Sequence, residues 1–183
     1  MNMKSITRIT AVIVLGANLG ACSSLEWSAN RIDREADDSL LVFKDEVRGG
    51  DVFLNQAAGY LVFPRVLRAG FGVGAETGEG ALRIGGKTVD YFRITSGSVG
   101  FQAGAQARSI VIAFMTPSAL EQFQNSNGWR VGIDGSVALI DIGAGKTIDS
   151  QNVRDPVVGF IFGSAGLMYN LTLEGTRFTR LQR

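Results

Sequence analysis

Glycine recurs at fixed positions inside apolar segments of this chain, and that recurrence constrains the fold more than any other feature. Three segments read Gly-Phe-x-x-Gly followed by a small residue: Gly70–Ala75, Gly100–Ala105 and Gly159–Ser164. Glycine inside a strand costs roughly 0.5–1 kcal/mol relative to alanine, so its repetition indicates sites where a side chain would not fit. The chain has 24 glycines but only 3 prolines, and the glycines lie among apolar residues, which argues against disorder. The pattern predicts strands that pack closely through their backbones, or a sharply curved sheet.

The segment that starts at Ser28 has helical periodicity. Apolar residues recur every three or four positions, with charged residues between them, and this predicts an amphipathic helix over Ser28–Val47. The apolar stripe consists of Ile32, Ala36, Leu40, Phe43 and Val47.

Two shorter helices are also predicted. Gly49-Gly50 should end the first helix, and Asp51 is placed to cap a second one that ends at Gly59. Thr116-Pro117 has the residue types of a helix start, and Asn125–Gly128 those of a stop. The apolar faces of these helices would be Val52, Phe53 and Ala57 in the second, and Leu120 and Phe123 in the third.

The remainder reads as short strands separated by glycine, asparagine and aspartate. The apolar run Tyr60–Phe63 should end at Pro64, and Gly70–Ala75 should form a glycine-rich hairpin. The other predicted strands are Phe71–Glu76, Ala81–Ile84, Val89–Thr95, Val99–Ala107, Ile110–Met115, Trp129–Ile133, Val137–Ile142, Val157–Phe162 and Leu171–Phe178. We therefore expect an α+β fold in which N-terminal helices pack on a curved, mostly antiparallel, glycine-rich sheet or partial barrel.

The N-terminus has the features of an export signal that ends at the only cysteine. Lys4 and Arg8 precede an apolar run, Ile9–Leu19, that is too short to span a bilayer. The tetrapeptide Leu19–Cys22 resembles a bacterial lipobox, in which the thiol is acylated before cleavage. We expect a signal peptide at 1–21, a lipidated tether at 22–28 with Cys22 as the attachment site, and a single domain at 29–183. Serines rather than aspartate follow Cys22, which favours the outer membrane, facing the periplasm.

Composition removes most catalytic and metal-binding chemistries. The chain has no histidine, one cysteine and a formal net charge of +1, so histidine-based catalysis, cysteine clusters and nucleic-acid binding are not expected. Glu76 with Glu79, or Asp134 with Asp141, could form a catalytic carboxylate pair, but such residues in turns more often serve turn geometry. The segment Gly143–Thr147 resembles a phosphate-binding loop, yet Ile140 stands where the loop needs its first glycine. We predict no enzyme, no cofactor and no metal.

Several motifs together resemble the SYLF-domain family. They are Leu61-Val62-Phe63-Pro64, Ala69–Gly74, Glu76–Gly80, Gly100–Gln106 and Leu171–Thr176, and they extend the resemblance over roughly 57–180. The resemblance implies a lipid-binding module. Eukaryotic members bind phosphoinositides and actin-regulatory partners, whereas bacterial members are short periplasmic or lipid-anchored proteins. This chain departs from the family in having no SH3 or other partner domain, and in having Ala75 where many members have glycine.

A locally basic stretch suggests where lipid would be contacted. Arg65, Arg68, Lys87 and Arg93 would bind headgroups of anionic phospholipid, although a charged, solvated sheet edge would look the same. Alternatively, the helix that carries Ile32, Leu40 and Phe43 could open and contact lipid through its apolar stripe. Structural roles are expected for Gly70, Gly72, Gly74, Gly100, Gly104, Gly159 and Gly163.

The sequence thus predicts a non-catalytic, lipid-binding lipoprotein of the bacterial envelope. One alternative is a structural or partner-binding lipoprotein that contacts lipid only through its acyl anchor. A second alternative, a transmembrane barrel, is disfavoured because Ile110–Met115 and Val157–Phe162 are continuous apolar runs rather than alternating ones.

Overall fold

The computed structural model describes residues 28–126, 128–141, 155–165 and 173–183, and for residues 71–72, 98–103, 141 and 164–165 it describes the backbone alone. The order of elements is α1 (Ala29–Glu46), α2 (Gly50–Gln56), β1 (Gly59–Ile84), β2 (Lys87–Phe114), α3 (Pro117–Asn125), β3 (Trp129–Arg130), β4 (Ala138–Asp141), β5 (Val157–Ala165) and β6 (Arg177–Leu181). The predicted α+β class, with helices preceding a curled and mostly antiparallel sheet, is confirmed.

Two very long strands, β1 and β2, dominate the sheet. They pair antiparallel along their whole length and are joined at Gly85–Gly86, where both glycines have positive φ angles of 56° and 78°. Positive φ at both central residues matches a two-residue hairpin turn. Six of the short strands expected from the sequence are therefore parts of these two. Pro64 does not end its strand, because the pairing register shifts between Phe63 and Val66 and accommodates the missing N–H group.

Glycines allow β1 to fold back on itself. A Cβ on Gly80 would overlap the carbonyl oxygen of Val62, and one on Gly78 would lie 2.7 Å from the carbonyl oxygen of Arg65. Gly70 lies equally close to Gly74, on the other side of the reversal. The two halves of β1 therefore pack backbone against backbone at Gly70, Gly78 and Gly80. The hairpin expected at Gly70–Ala75 is instead a bend within the paired β1–β2 ribbon.

Pairing along β2 sets the sheet order. Its first half, Tyr91–Thr95, pairs with β6, and its second half, 107–114, pairs with β5. The order is β3-β6-β2-β5-β4, with β1 on β2, and only β4 and β5 run parallel. Because β1 and β2 each contribute two segments, six strands in the described part of the chain form a curled sheet of eight segments.

The curl separates two cores. The inner core lies on the concave face, where Phe123 of α3 packs against Phe92, Phe114, Trp129 and Phe178 with ring centroids 4.8–6.2 Å apart. The outer core lies under α1 and α2, where the rings of Phe43 and Phe53 meet Phe160 edge-on at 5.2 and 5.1 Å.

The first and third helices match the prediction closely. The whole predicted stripe of α1 is buried, and α3 has Thr116 as its N-cap, with Oγ1 accepting from the amide of Ala119 at 3.3 Å. The apolar residues of α3, Leu120 and Phe123, are buried as expected.

The second helix differs from the prediction. Its N-cap is Gly49, with φ 82°, so Asp51 lies inside the first turn rather than capping it. Leu54 is buried beside Phe53 while Val52 is 53% exposed, and the helix ends at Gln56, before Gly59.

Two late strands were predicted too long. Only Trp129–Arg130 of the expected Trp129–Ile133 is a strand, because the chain turns at once and the amide of Asp134 donates to the carbonyl of Arg130. The strand expected at Leu171–Phe178 starts only at Arg177, since the amide of Thr176 donates to the carbonyl of Leu173 in a turn. The segment Gly143–Thr147 lies outside the described residues.

Candidate functional site

Two of the carboxylates considered as catalytic pairs, Glu76 and Glu79, serve as counterions of arginines. Glu76 and Arg108 are both buried and form an ion pair of 2.5 Å between Oε1 and Nη2. Glu79 pairs with Arg93 at 2.6 Å and with Arg183 at 3.0 Å. Asp134 accepts the main-chain N–H of Arg130 at 2.7 Å. The side chain of Asp141 is not described, so the pair of Asp134 with Asp141 lies outside the described side chains.

Polar contacts attach α1 to the ribbon. Asp33 accepts hydrogen bonds from Thr88 at 2.7 Å and from the Tyr91 hydroxyl at 2.8 Å, and Arg83 pairs with Asp37 at 2.8 Å. Burial, together with the hydrogen bond to Asp33, raises the pKa of Tyr91 to about 12. These bonds and the buried apolar stripe hold α1 on the sheet, which disfavours lipid contact by an opened helix.

The four basic residues predicted to bind headgroups do not form one patch. Arg65 is exposed and borders a groove of about 420 Å³ between α1 and the sheet, opposite Val42. Lys87 is exposed at the hairpin turn, at the other end of β1. Arg68 is half-buried, and Arg93 is engaged by Glu79. The groove also presents the carboxylates of Glu35 and Asp38, which makes it a poor site for anions.

A second basic site lies on the outer face of the sheet, across three strands. Thr95 of β2 pairs with Arg177 of β6, which in turn pairs with Arg130 of β3. Directly paired residues share a face, and the neighbouring positions Ile94 and Phe178 point into the inner core. Together with Ser96, Gly97, Ile133 and Gly175, these residues line a cleft of about 590 Å³, here called the arginine cleft.

The arginine cleft escaped sequence analysis because pairing register decided it. Arg130 and Arg177 stand 47 positions apart (177 − 130), so the sequence does not show that they meet. Two signals were available: the C-terminal stretch Arg177–Arg183 holds three arginines and no acid, and Arg130 and Arg177 each adjoin an aromatic residue, Trp129 and Phe178.

The bend of the ribbon is the other notable surface. Residues 69–75 of β1 and 97–105 of β2, here called the ribbon bend, contain no charged side chain. Val73 within it is 68% exposed, and Leu67 just before it is 46% exposed. The arginine cleft includes Gly97, so it borders the ribbon bend, and its rim residue Ile133 is 69% exposed.

Comparison with known families decides the kind of domain. A sequence model of the Ysc84, or SYLF, family, described as "Las17-binding protein actin regulator", matches residues 95–183. Residues 95–183 are therefore similar to the SYLF family. The matched SYLF segment starts at Thr95 and therefore contains the whole arginine cleft. A search of curated proteins found no match.

Some of the other expectations lie outside the residues that the structure describes, and others lie within them. Cys22 and the predicted signal peptide lie outside the described residues. None of the helices at 28–126 or in the later described ranges combines the length and apolar character needed to cross a bilayer. Over the same ranges, no three potential metal ligands converge. Gly104, Gly159 and Gly163 were also expected to be structural. A Cβ on Gly159 would lie 2.9 Å from Cγ1 of Val137, and Gly163 has a positive φ of 58°, whereas a Cβ on Gly104 would meet nothing within 4 Å.

Proposed function

We propose that this chain is a non-catalytic, lipid-binding lipoprotein of the bacterial cell envelope, anchored through Cys22 and contacting lipid through the ribbon bend. The SYLF match supports lipid binding, and the lipobox-like Leu19–Cys22 supports anchoring at the outer membrane, facing the periplasm. The family description also names actin regulation and Las17, but no surface formed by the described residues favours that role over a lipid surface.

The exposed apolar ribbon bend carries this proposal. Val73 and Leu67 leave large apolar side chains in water, and Arg65, two positions before Leu67 on the same strand, is also exposed. Apolar area removed from water contributes about 25 cal/mol per Å². Each basic residue near an anionic membrane adds roughly 1 kcal/mol. A membrane surface is therefore the environment that satisfies both kinds of side chain at once.

Vesicle co-sedimentation tests the apolar part of this contact. The mature chain with Cys22→Ser, which lacks the acyl anchor, should bind vesicles of mixed phosphatidylglycerol and phosphatidylcholine. Val73→Asp should weaken binding about tenfold or more, because a carboxylate would have to enter the anionic interface. Val89→Asp is the matched control, since Val89 is 47% exposed near the hairpin turn instead. Equal loss in both variants would contradict the ribbon bend as the contact, and absence of binding by the parent chain would favour the purely structural lipoprotein.

Salt and charge test the electrostatic part. Exposed charges are screened over ~8 Å at physiological ionic strength, so binding should fall as salt rises. Replacing Arg65, Arg68 and Lys87 together by Gln should weaken binding. Arg65→Gln should account for more of the loss than Lys87→Gln, because Arg65 lies near the ribbon bend and Lys87 at the hairpin turn. If the triple variant binds vesicles as well as the parent chain does, these three residues do not contribute to the lipid contact.

A further inference from the structure

We propose that the arginine cleft binds a phosphate group through the guanidinium groups of Arg130 and Arg177. The inference builds on the proposed function by giving the membrane contact a specific headgroup site. The same chemistry would serve a phosphate on a lipid headgroup or a free phosphate ion.

The first argument is the juxtaposition of two like charges. Arg130 and Arg177 are direct register partners, which places their Cβ atoms roughly 4.5–5.5 Å apart. Like charges at such positions destabilise a sheet. Neither guanidinium has a hydrogen-bond or ion-pair partner among the residues that the structure describes, and no carboxylate from those residues lines the cleft. A bound oxyanion would convert this repulsion into attraction.

Other arginines of the sheet show a contrasting arrangement. Arg180, on the same strand as Arg177, pairs with Asp90 at 3.3 Å and lies over the ring of Phe92. Carboxylates also pair with Arg83, Arg93, Arg108 and Arg183. Carboxylates thus neutralise these five arginines, whereas Arg130 and Arg177 face each other in direct register without one from the described residues.

The second argument is that the cleft is shaped around a guanidinium. A Cβ on Gly128 would lie 2.8 Å from Nε and 2.9 Å from Nη2 of Arg177, and Gly128 has φ +102°. Glycine at this position therefore leaves room for the Arg177 side chain in its present place. The planar fork of arginine suits two parallel hydrogen bonds to phosphate oxygens.

Neighbouring groups fit a phosphate ligand. Thr95 continues the row on β2, so its hydroxyl group is available as a further donor, and Ser96 also lines the cleft. The nearby acids are already engaged, since Asp134 accepts the N–H of Arg130 and Glu174 has a polar partner of its own. Exposed Ile133 on the rim suits a phosphate that is attached to an acyl lipid.

Titration with inorganic phosphate tests the site directly. In the mature Cys22→Ser chain, phosphate should shift the amide NMR signals of Thr95, Gly97 and Gly175 saturably and raise the melting temperature. Arg130→Gln/Arg177→Gln should weaken phosphate binding about tenfold or more, because two charge-assisted contacts are lost. The phosphate-free double variant should melt no lower than the parent, since the repulsion is removed. The control Arg34→Gln/Arg48→Gln changes the net charge equally at two exposed helix and loop positions and should bind phosphate normally.

Vesicles containing phosphatidate distinguish the two sources of phosphate. Loss of phosphatidate-vesicle binding by the double variant, with Arg34→Gln/Arg48→Gln unaffected, would identify a lipid headgroup. Weakened binding of inorganic phosphate with unchanged vesicle binding would identify free phosphate. If inorganic phosphate does not bind, or if the parent and the double variant bind it equally, the arginine cleft is not a phosphate site. If the phosphate site fails in this way, vesicle binding that Val73→Asp weakens would still support the proposed function. If instead the chain binds inorganic phosphate through the arginine cleft but does not bind vesicles, the proposed function is contradicted and the phosphate site is not.

Discussion

At the scale of single residues, the buried ion pair of Glu76 with Arg108 combines a favourable attraction with a desolvation cost. Arg108 uses Nη2 to bind Glu76, but its Nε and Nη1 atoms are buried and have no partner among the described residues. Desolvation of these two groups opposes the attraction to Glu76. A buried pair of this kind is costly to break and contributes little compared with apolar residues of similar volume.

The Glu76–Arg108 pair therefore predicts a marked asymmetry between single and double substitutions. Glu76→Leu should lower the free energy of unfolding by about 3–5 kcal/mol, because it leaves the Arg108 charge buried and uncompensated. Glu76→Leu/Arg108→Met should recover most of that loss. Urea unfolding of the parent, both single variants and the double variant measures the coupling, and a double variant as unstable as the sum of the singles would contradict it.

Tyr91 predicts a pH dependence of stability at the alkaline end. Its pKa of about 12 lies above the usual value of 10.0, so folding favours the protonated hydroxyl that donates to Asp33. This contribution is complete below pH ~10 and is lost as pH rises towards ~12. Urea midpoints across that window should fall more steeply in the parent than in Tyr91→Phe. Tyr60, whose pKa burial also raises, is present in both proteins and cancels in the comparison. If the urea midpoints of the two proteins fall equally with pH, the contribution assigned to Tyr91 is contradicted.

At the scale of elements, the long ribbon depends on close contact between the two halves of β1. Gly80, Gly78 and Gly70 mark this contact, and each touches backbone of the opposite half. Backbone has little freedom to retreat from an added side chain, unlike the flexible end of a lysine or arginine. The fold-back of the ribbon should therefore be more sensitive to an added methyl group than the open parts of the same strands.

Two alanine substitutions test that difference. Gly80→Ala should destabilise the protein by about 2 kcal/mol or more, because its Cβ would collide with the Val62 carbonyl and the Phe63 ring. Gly97→Ala, on the partner strand, meets nothing within 4 Å and should be neutral or slightly stabilising. Thermal unfolding compares them, and similar melting temperatures would contradict a packing role for Gly80.

Gly104 behaves differently from the packing glycines. Its φ is +155° and a Cβ there would meet open space, so any loss in Gly104→Val would come from backbone conformation rather than from packing. The reason expected from the sequence, steric conflict, applies to Gly70 but not to Gly104.

At the scale of the whole molecule, the lipid anchor proposed at Cys22 should act together with the folded domain. Cys22→Ala should give an unacylated protein that no longer incorporates labelled palmitate and no longer partitions permanently with membranes. A single weak surface contact is readily reversible, whereas an acyl anchor adds about 0.8 kcal/mol per buried CH₂. Palmitate labelling that persists in the variant would contradict lipidation at Cys22.

The amino-acid sequence by itself determined the local features of this protein. Residue periodicity and capping chemistry act over three or four positions, so α1 and α3 could be predicted with their buried faces. The tertiary structure alone decided which distant positions meet. It merged six expected strands into one folded ribbon, separated Arg65 from Lys87, and placed Arg130 beside Arg177. The physical reason is that strand pairing is non-local, and a shift of one residue in register sends every side chain of a strand to the opposite face.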